Sequence, residues 1–596
     1  MLTPKIIQIV VCLVFLSTIS ACGGGSSSSS SDAATGNEED AVGDQAGSDG
    51  VNGDTDTTDT TDTTDNSDNS EGSDIPNGTD SVVTVISGAG DALTSGALEM
   101  EGAPDFDVSL SDTVMMVSRS EIGYGKPGAM NIVAREGDSI AGLPPAVRVD
   151  SFSGSDSGIA NDDVGYVVAT TRGASEEDVL LQVQESGVSL VIDTNSTTYD
   201  GRDGEQYTIS EIIRFSISSA GLLVDVRVQE RFSTINSLVL VSDGNIKELF
   251  VRNDEIGQFT TDGCLLNYQN GSVGDEPPVA LTDDGDVLVF VTLSEPSGAT
   301  SDTCNGSALV RQIAGAESFE VVIASGMVVP NAPASIFGDT TLHSVTSDGV
   351  LVIQANLITP TGGDGDDIKL SYWSLTSDSQ LSLLLLEGEA VELASGNTIT
   401  LPGDSENYDL HINGTRVAAR IGLPDFQTAL LVGDVAPGSQ PHAAIAAPGT
   451  STLSAVVSTL DSPISGWPDS VFISQIGLPV IRSSGAVVTD IRYSDANESV
   501  FSFSPESLSS FDNAGVRTDL VTTGLLIPDT ANPALTFVLE VNLDPSQLGN
   551  PGSPVFELND GSLLFGAGLG RNPLDSDSRI RPSVQSTVLL SLPAEG

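Results

Sequence analysis

The chain has 596 residues, of which 83 are Asp or Glu and 22 are Lys or Arg, for a formal charge of −61. A field of that sign repels nucleic acid, anionic lipid and lipopolysaccharide phosphate unless cations bridge them, so nucleic acid is excluded as a partner. With only 3 histidines, His-based catalysis and His-based metal binding are poorly supplied.

Residues 1–21 read as a signal peptide. Lys5 supplies the positive start, residues 6–19 form an apolar run too short for a spanning helix, and Ser20-Ala21 are the small residues before a cleavage site. The stretch Ile19-Ser20-Ala21-Cys22 resembles the lipobox of bacterial lipoproteins. That resemblance implies cleavage before Cys22 and acylation of Cys22 with palmitate-like chains, and several chains anchor stably where one is marginal. Gly23, where Asp would retain a lipoprotein in the inner membrane, resembles the outer-membrane sorting pattern. An outer-membrane lipoprotein is therefore expected, with the periplasmic and surface sides both open.

Residues 22–79 are expected to be a disordered tether. From Asp32 to Asp74 there are 14 acidic residues, no basic ones and almost no large apolar side chains, so nothing offsets the entropy of ordering them. The Asp-Thr-Thr spacing lacks the Asp-x-Asp-x-Asp-Gly pattern that wraps a calcium ion. Without the tether and Lys5 the chain still carries about −48.

Residues 80–596 are expected to form one all-β repeat domain. Apolar runs of four to seven residues rich in Val, Ile, Leu and Phe alternate with Gly and Asp-Gly punctuation, which suits strands and not helices. One phrase, a short strand, an Asn/Asp/Ser-Gly turn and an alternating strand, occurs eight times, from SLSDTVMMVS at 109 to LNDGSLLFGAGL at 558. The turn glycines Gly165, Gly221, Gly285, Gly349, Gly414, Gly485 and Gly561 recur roughly every 55–75 residues, as tight hairpins with positive φ require. A second hairpin follows each copy, as in SLVLVSDGNIKELFVRN, so the unit is four antiparallel strands, A to D. Eight such units predict a β-propeller. The last unit ends after strand C, STVLLSL, and its missing strand D is expected at 81–93, which would close the ring against the alternative of an open array or stacked sandwiches. A Gly-Asp pair is expected to end strand D, at Gly137-Asp138 in blade 1 and Gly433-Asp434 in blade 6.

VAREGDSIAGL, LVGDVAPG, IANDDVGYVVAT and LNDGSLLFGAGL resemble the tandem-repeat domain of bacterial "choice-of-anchor" proteins. That family implies a cell-surface or secreted repeat protein and adds no chemistry. Blades 3, 4, 5 and 7 depart from its pattern, because they lack Gly-Asp at the end of strand D.

In a propeller the A–B and C–D turns share one end, and these are short here. The other end is expected to carry the long B–C and D–A insertions 253–278, 295–306, 326–341, 389–409, 434–479 and 524–553, and long loops on a rigid scaffold are where binding concentrates. Once Cys12 and Cys22 are set aside, Cys264 and Cys304 remain; in an exported domain they are expected to pair, against two free thiols. The loop TPTGGDGDDIKL places Asp364, Asp366 and Asp367 close together as candidate calcium ligands, beside the simpler reading of a solvated loop. No nucleophile elbow, zinc helix or phosphate loop is present, and GAGLG at 566–570 belongs to a strand. The function expected is a non-catalytic scaffold that binds an envelope or extracellular protein or glycan through the long-loop end, without a cofactor. Its rivals are a carbohydrate-active enzyme working through carboxylates in a central pocket and a calcium-dependent adhesin.

Overall fold

Strand B of the first blade shows why these residues build stacked sheets. Val114–Val117, VMMV, is buried at all four positions, whereas a half-buried strand such as Gly165–Arg172 alternates strictly. A strand apolar on both faces needs a sheet on either side. The computed structural model supplies this: it describes residues 84–594, except for loop segments of which the longest are 90–97, 269–278, 296–303, 437–449, 462–469, 496–505, 529–534, 541–554 and 574–585. The expected signal peptide, Cys22, the expected tether and the turn glycine Gly349 lie outside the described residues.

Eight sheets of four or more strands form an eight-bladed β-propeller, with one further two-stranded sheet. Blade 1 runs Asp105–Val108 (A), Val114–Val117 (B), Glu121–Gly125 (C) and Asn131–Arg135 (D), each antiparallel to the next. Blades 2 to 7 span 148–193, 206–251, 264–324, 332–386, 408–458 and 471–522. Strands A of blades 1 and 2, 2 and 3, 3 and 4, and 6 and 7 touch one another, as strands around a common axis do. The hydrophobic cores lie between blades. Met115, Ile122 and Tyr124 of blade 1 pack with Phe152, Val167 and Leu181 of blade 2, and Leu309 and Ile323 of blade 4 pack with Phe337, Ile353 and Trp373 of blade 5.

The ring closes as the repeat predicts. Blade 8 contributes Leu563–Pro573 as strand B and Ser586–Leu592 as strand C, and Thr84–Ala89 pairs antiparallel with the latter as strand D, with Ser87 opposite Leu589. Leu98–Met100 then adds in parallel, with Leu98 opposite Ser87. Ile86 and Met100 are buried with Phe106, Val114, Met116 and Leu564, so the closing strand also seals the core between blades 8 and 1. The GAGLG stretch lies within Leu563–Pro573.

Several strand assignments change. Gly433-Asp434 ends strand C of blade 6, not strand D: Gln427–Asp434 pairs with Arg416–Leu423 on one side and Ser454–Ser458 on the other. The insertion 435–453 separates C from D, and Gly-Asp suits the exit of either strand, so the phrase alone does not distinguish them. The segment 434–479 is thus two connections at opposite ends of the blade. The insertion 389–409 folds into a hairpin, Ala390–Glu392 against Thr398–Thr400, that buries Val391, Leu393 and Leu401 beside Tyr408 and Leu453. Most of 326–341 is strand, Ala332–Val345. Strand A is split in blade 4: Cys264–Asn267 pairs with the far end of Val287–Ser294 and Val279–Leu281 with its near end. Blades 7 and 8 repeat this division.

Candidate functional site

At the end carrying the A–B turns, the acids of the repeated phrase are tied to neighbouring blades. Asp112 and Asp163 have φ of 67° and 65°, a conformation Asp tolerates better than most side chains. The Asn559 N–H of blade 8 donates to Asp112 Oδ1 at 2.8 Å, and Asn559 Nδ2 donates to the Leu110 carbonyl at 2.7 Å. Asp163 of blade 2 accepts from Ser111 at 2.6 Å and also from Ser109 of blade 1. Asp283 of blade 4 accepts the Ser219 N–H of blade 3 at 2.9 Å and the side-chain amide of Asn161 in blade 2. Glu557 of blade 8 accepts from Arg482 Nε of blade 7 at 3.0 Å. These carboxylates lock blades together around the axis, a use that turn chemistry alone does not disclose. Burial pushes Asp163 upward, but the serine hydroxyls and Lys126 outweigh it and hold the carboxyl below its ordinary range. Asp283 is likewise lowered, by the Ser219 and Asn161 bonds against burial.

The opposite end carries the disulfide. Cys264 opens the split strand A of blade 4 and Cys304 lies in the B–C loop of the same blade; they are bonded, with Cα atoms 5.4 Å apart. Both are buried in a core with Phe250 and Tyr268, whose rings stack at 5.5 Å. The Cys304 N–H donates to Glu295 Oε1 at 2.9 Å. The bridge therefore ties the 253–278 segment to the 295–306 connection within blade 4.

The expected calcium ligands are not brought together among the described residues. Asp364 lies outside them, Asp366 is exposed, and the Asp367 carboxylate lies 3.6 Å from Lys369 Nζ. No group of three His, Cys, Asp or Glu side chains able to hold a metal occurs among the described residues. His343 is half-buried edge-on to the Tyr372 ring, and burial lowers its pKa. His411 Nδ1 accepts the Ile481 N–H at 3.3 Å.

Two carboxyl groups that sequence reading passed over stand on the axial strand of blade 1. Asp105 and Asp107 alternate with Phe106, so they share one face of strand A, toward strand A of blade 2. Asp107 accepts the N–H groups of Val108 at 2.8 Å and Ile159 at 3.0 Å, one on each oxygen. Burial raises its pKa against those two bonds. Asp105 abuts Gly154, where any Cβ would collide with its carboxylate, and burial raises its pKa to about 6. The Asp-Phe-Asp alternation on a strand A was the available signal.

The pH dependence follows from these shifts. Asp105 has a folded pKa above its unfolded value, so ionisation penalises the fold, and stability rises as pH drops through about 6. Asp163 and Asp283 have depressed folded pKa values, so their stabilisation is complete above about pH 4 and is lost as pH falls further. The melting temperature is expected to peak near pH 5. Asp105→Asn should flatten the slope between pH 5 and 7 and leave the acid limb intact; an unchanged upper slope would contradict this assignment.

No protein-family model and no curated protein matches the chain. Among solved structures it is similar to prolyl oligopeptidase B from Galerina marginata, at 12% identity and a TM-score of 0.30, over 74% of this chain and 51% of that one. The chain therefore spans about half the length of that enzyme. It is also similar to the polysaccharide lyase Uly1, at 10% identity and a TM-score of 0.29, over 69% of this chain and 94% of that one. Likenesses this low carry no argument about activity.

Proposed function

We propose that the protein is a lipid-anchored envelope lipoprotein whose β-propeller is a non-catalytic scaffold, binding an envelope or extracellular protein or glycan through its B–C and D–A end. The observation that carries the reading is the Cys264–Cys304 disulfide. A buried bridge of this kind belongs to an oxidising compartment, in keeping with the signal peptide and lipobox-like Cys22. It also fixes two connections of blade 4 at the B–C and D–A end, as a preorganised binding surface requires. At the A–B end the carboxylates near the axis are engaged in joining blades, which leaves fewer of them for a ligand.

The enzyme reading draws on Asp105, a carboxyl on the axial strand whose pKa burial raises to about 6. Its companion Asp107 has a backbone donor on each oxygen, which suits a structural role better than acid–base work.

Anchoring is tested by growing cells on an alkyne-tagged palmitate. The wild-type chain should carry the label and sediment with membranes, whereas Cys22→Ser should be unlabelled. Equal labelling of both would remove the anchor from the proposal. Envelope cross-linking of the labelled protein then tests the scaffold role, with loop-end positions expected to capture a partner more strongly than A–B turn positions.

A further inference from the structure

Six large apolar side chains stand exposed among the described residues, and two of them belong to one row of blade 5. Val328 is opposite Ile336, Ile336 is opposite Ile358, and Ile358 is opposite Ile368. Directly opposed residues of an antiparallel sheet point to the same face, so the four side chains form a ladder across adjacent strands, about 14 Å from end to end. Val328 at the axial end and Ile368 in strand C are 54% and 56% exposed, and the two between them are half-buried. Gly338 gives the middle of the row its room: a Cβ there would lie 3.0 Å from Ile358 Cδ1.

The row lies where the core between blades 5 and 6 runs out. Leu370, two residues along strand C from Ile368 and on the same face, is buried with Tyr408 and Leu423 of blade 6. The row is one step further out, at the end with the B–C and D–A connections. Val328 sits in the connection from blade 4, and Ile358 and Ile368 flank the B–C loop of blade 5. The surroundings are acidic. Between Arg311 and Arg416 there are 14 Asp or Glu residues and one basic residue, Lys369. Lys369 points to the opposite face from Ile368 and lies 3.6 Å from Asp367. Asp366 is exposed two residues from Ile368, and Glu387 accepts the Leu370 N–H at 2.9 Å.

An aliphatic ladder offers a glycan no hydrogen-bonding side chain and no aromatic ring. A second copy would bring the same acidic segment against itself, and an anionic lipid is repelled likewise. We propose that this row is the docking site of a cationic polypeptide segment that alternates aliphatic side chains with Lys or Arg. The aliphatic side chains cover the row, the charged groups reach the acids at its rim, and the methylene stems of Lys or Arg add apolar contact. The proposal rests on the loop-end scaffold reading and narrows its partner to a basic protein.

The test is calorimetric titration of the full-length protein with three acetylated hexapeptides, alternating Lys-Leu, Lys-Ser and Glu-Leu. Lys-Leu should bind at least tenfold more tightly than Lys-Ser, with Glu-Leu silent. Val328→Ser combined with Ile368→Ser should weaken Lys-Leu binding at least tenfold at an unchanged melting temperature, since both side chains stand largely in solvent. Asp366→Asn should weaken it by a smaller factor and reduce its salt dependence. Equal binding of Lys-Ser, or Lys-Leu binding that survives the double variant, would overturn the row as the site. Glu-Leu binding that the double variant removes would overturn the partner class. Self-association in sedimentation that the double variant abolishes would assign the row to a second copy instead. Silence from all three peptides would overturn the proposal, while partner cross-links from other loop-end positions would leave the scaffold standing. Absence of every loop-end cross-link would remove the scaffold reading itself.

Discussion

A chain lacking residues 84–100 is expected to lose its single cooperative unfolding transition and to expose apolar surface at temperatures where the intact protein is folded. The deletion removes strand D of blade 8, leaves Ser586–Leu592 as an unpaired edge and takes Ile86 and Met100 out of the core between blades 8 and 1. An opened ring has two free blade faces, and an apolar sheet face or edge without a partner invites aggregation. Ile86→Ala is the milder version, costing about 2–5 kcal/mol through the cavity left beside Met116 and Leu564. Differential scanning calorimetry with and without a dye for exposed apolar surface decides the matter. Superimposable traces would mean that the ring does not depend on its N-terminal strand.

The second large effect is expected from the disulfide. Replacing Cys264 and Cys304 together by Ser should destabilise the domain by about 4 kcal/mol, the chain-entropy value for a closed loop whose ends are 40 residues apart. The loss is expected to be local first. Among the described residues the split strand A of blade 4 meets strand B only through Cys264–Asn267 and Val279–Leu281, with Glu255–Phe259 paired to the other side of Cys264–Asn267, so the segments 253–278 and 295–306 should become protease-sensitive before the other blades melt. Limited proteolysis with and without reductant, read by mass spectrometry, locates the first cuts. Cuts that begin in another blade would show that the bridge does not brace this end.

The blade 4 result also bears on function. If the loop end is the binding surface, reduction should weaken partner capture before it unfolds the ring, because the loops lose their fixed ends while strands B to D of blade 4 stay paired. A partner that remains bound after reduction would point to a surface elsewhere on the propeller.

Much of this architecture was legible before any coordinates because it rests on local chemistry. Period-two alternation, Gly and Asp at positive-φ turns, and four strands per repeat each need only a few neighbouring residues, and together they specify eight blades. The absence of a strand after STVLLSL, with a spare strand at 81–93, was enough to predict closure. Counting cysteines was enough to pair Cys264 with Cys304. Non-local packing was needed for the rest. Whether Gly433-Asp434 ends strand C or D depends on which strand lies beside it, and residues 435–453 hide that neighbour from a linear reading. The hairpin at 390–400 looks like a polar loop until Val391 and Leu401 meet the core between blades 5 and 6. Asp112, Asp163 and Asp283 read as ordinary turn residues because their partners lie one or two blades away. Asp105 takes its raised pKa, and Val328 its place in a row with Ile368, from residues distant in the chain. A turn is chosen by the residues within it, whereas burial and hydrogen-bond partnership are set by whatever the closed ring brings alongside.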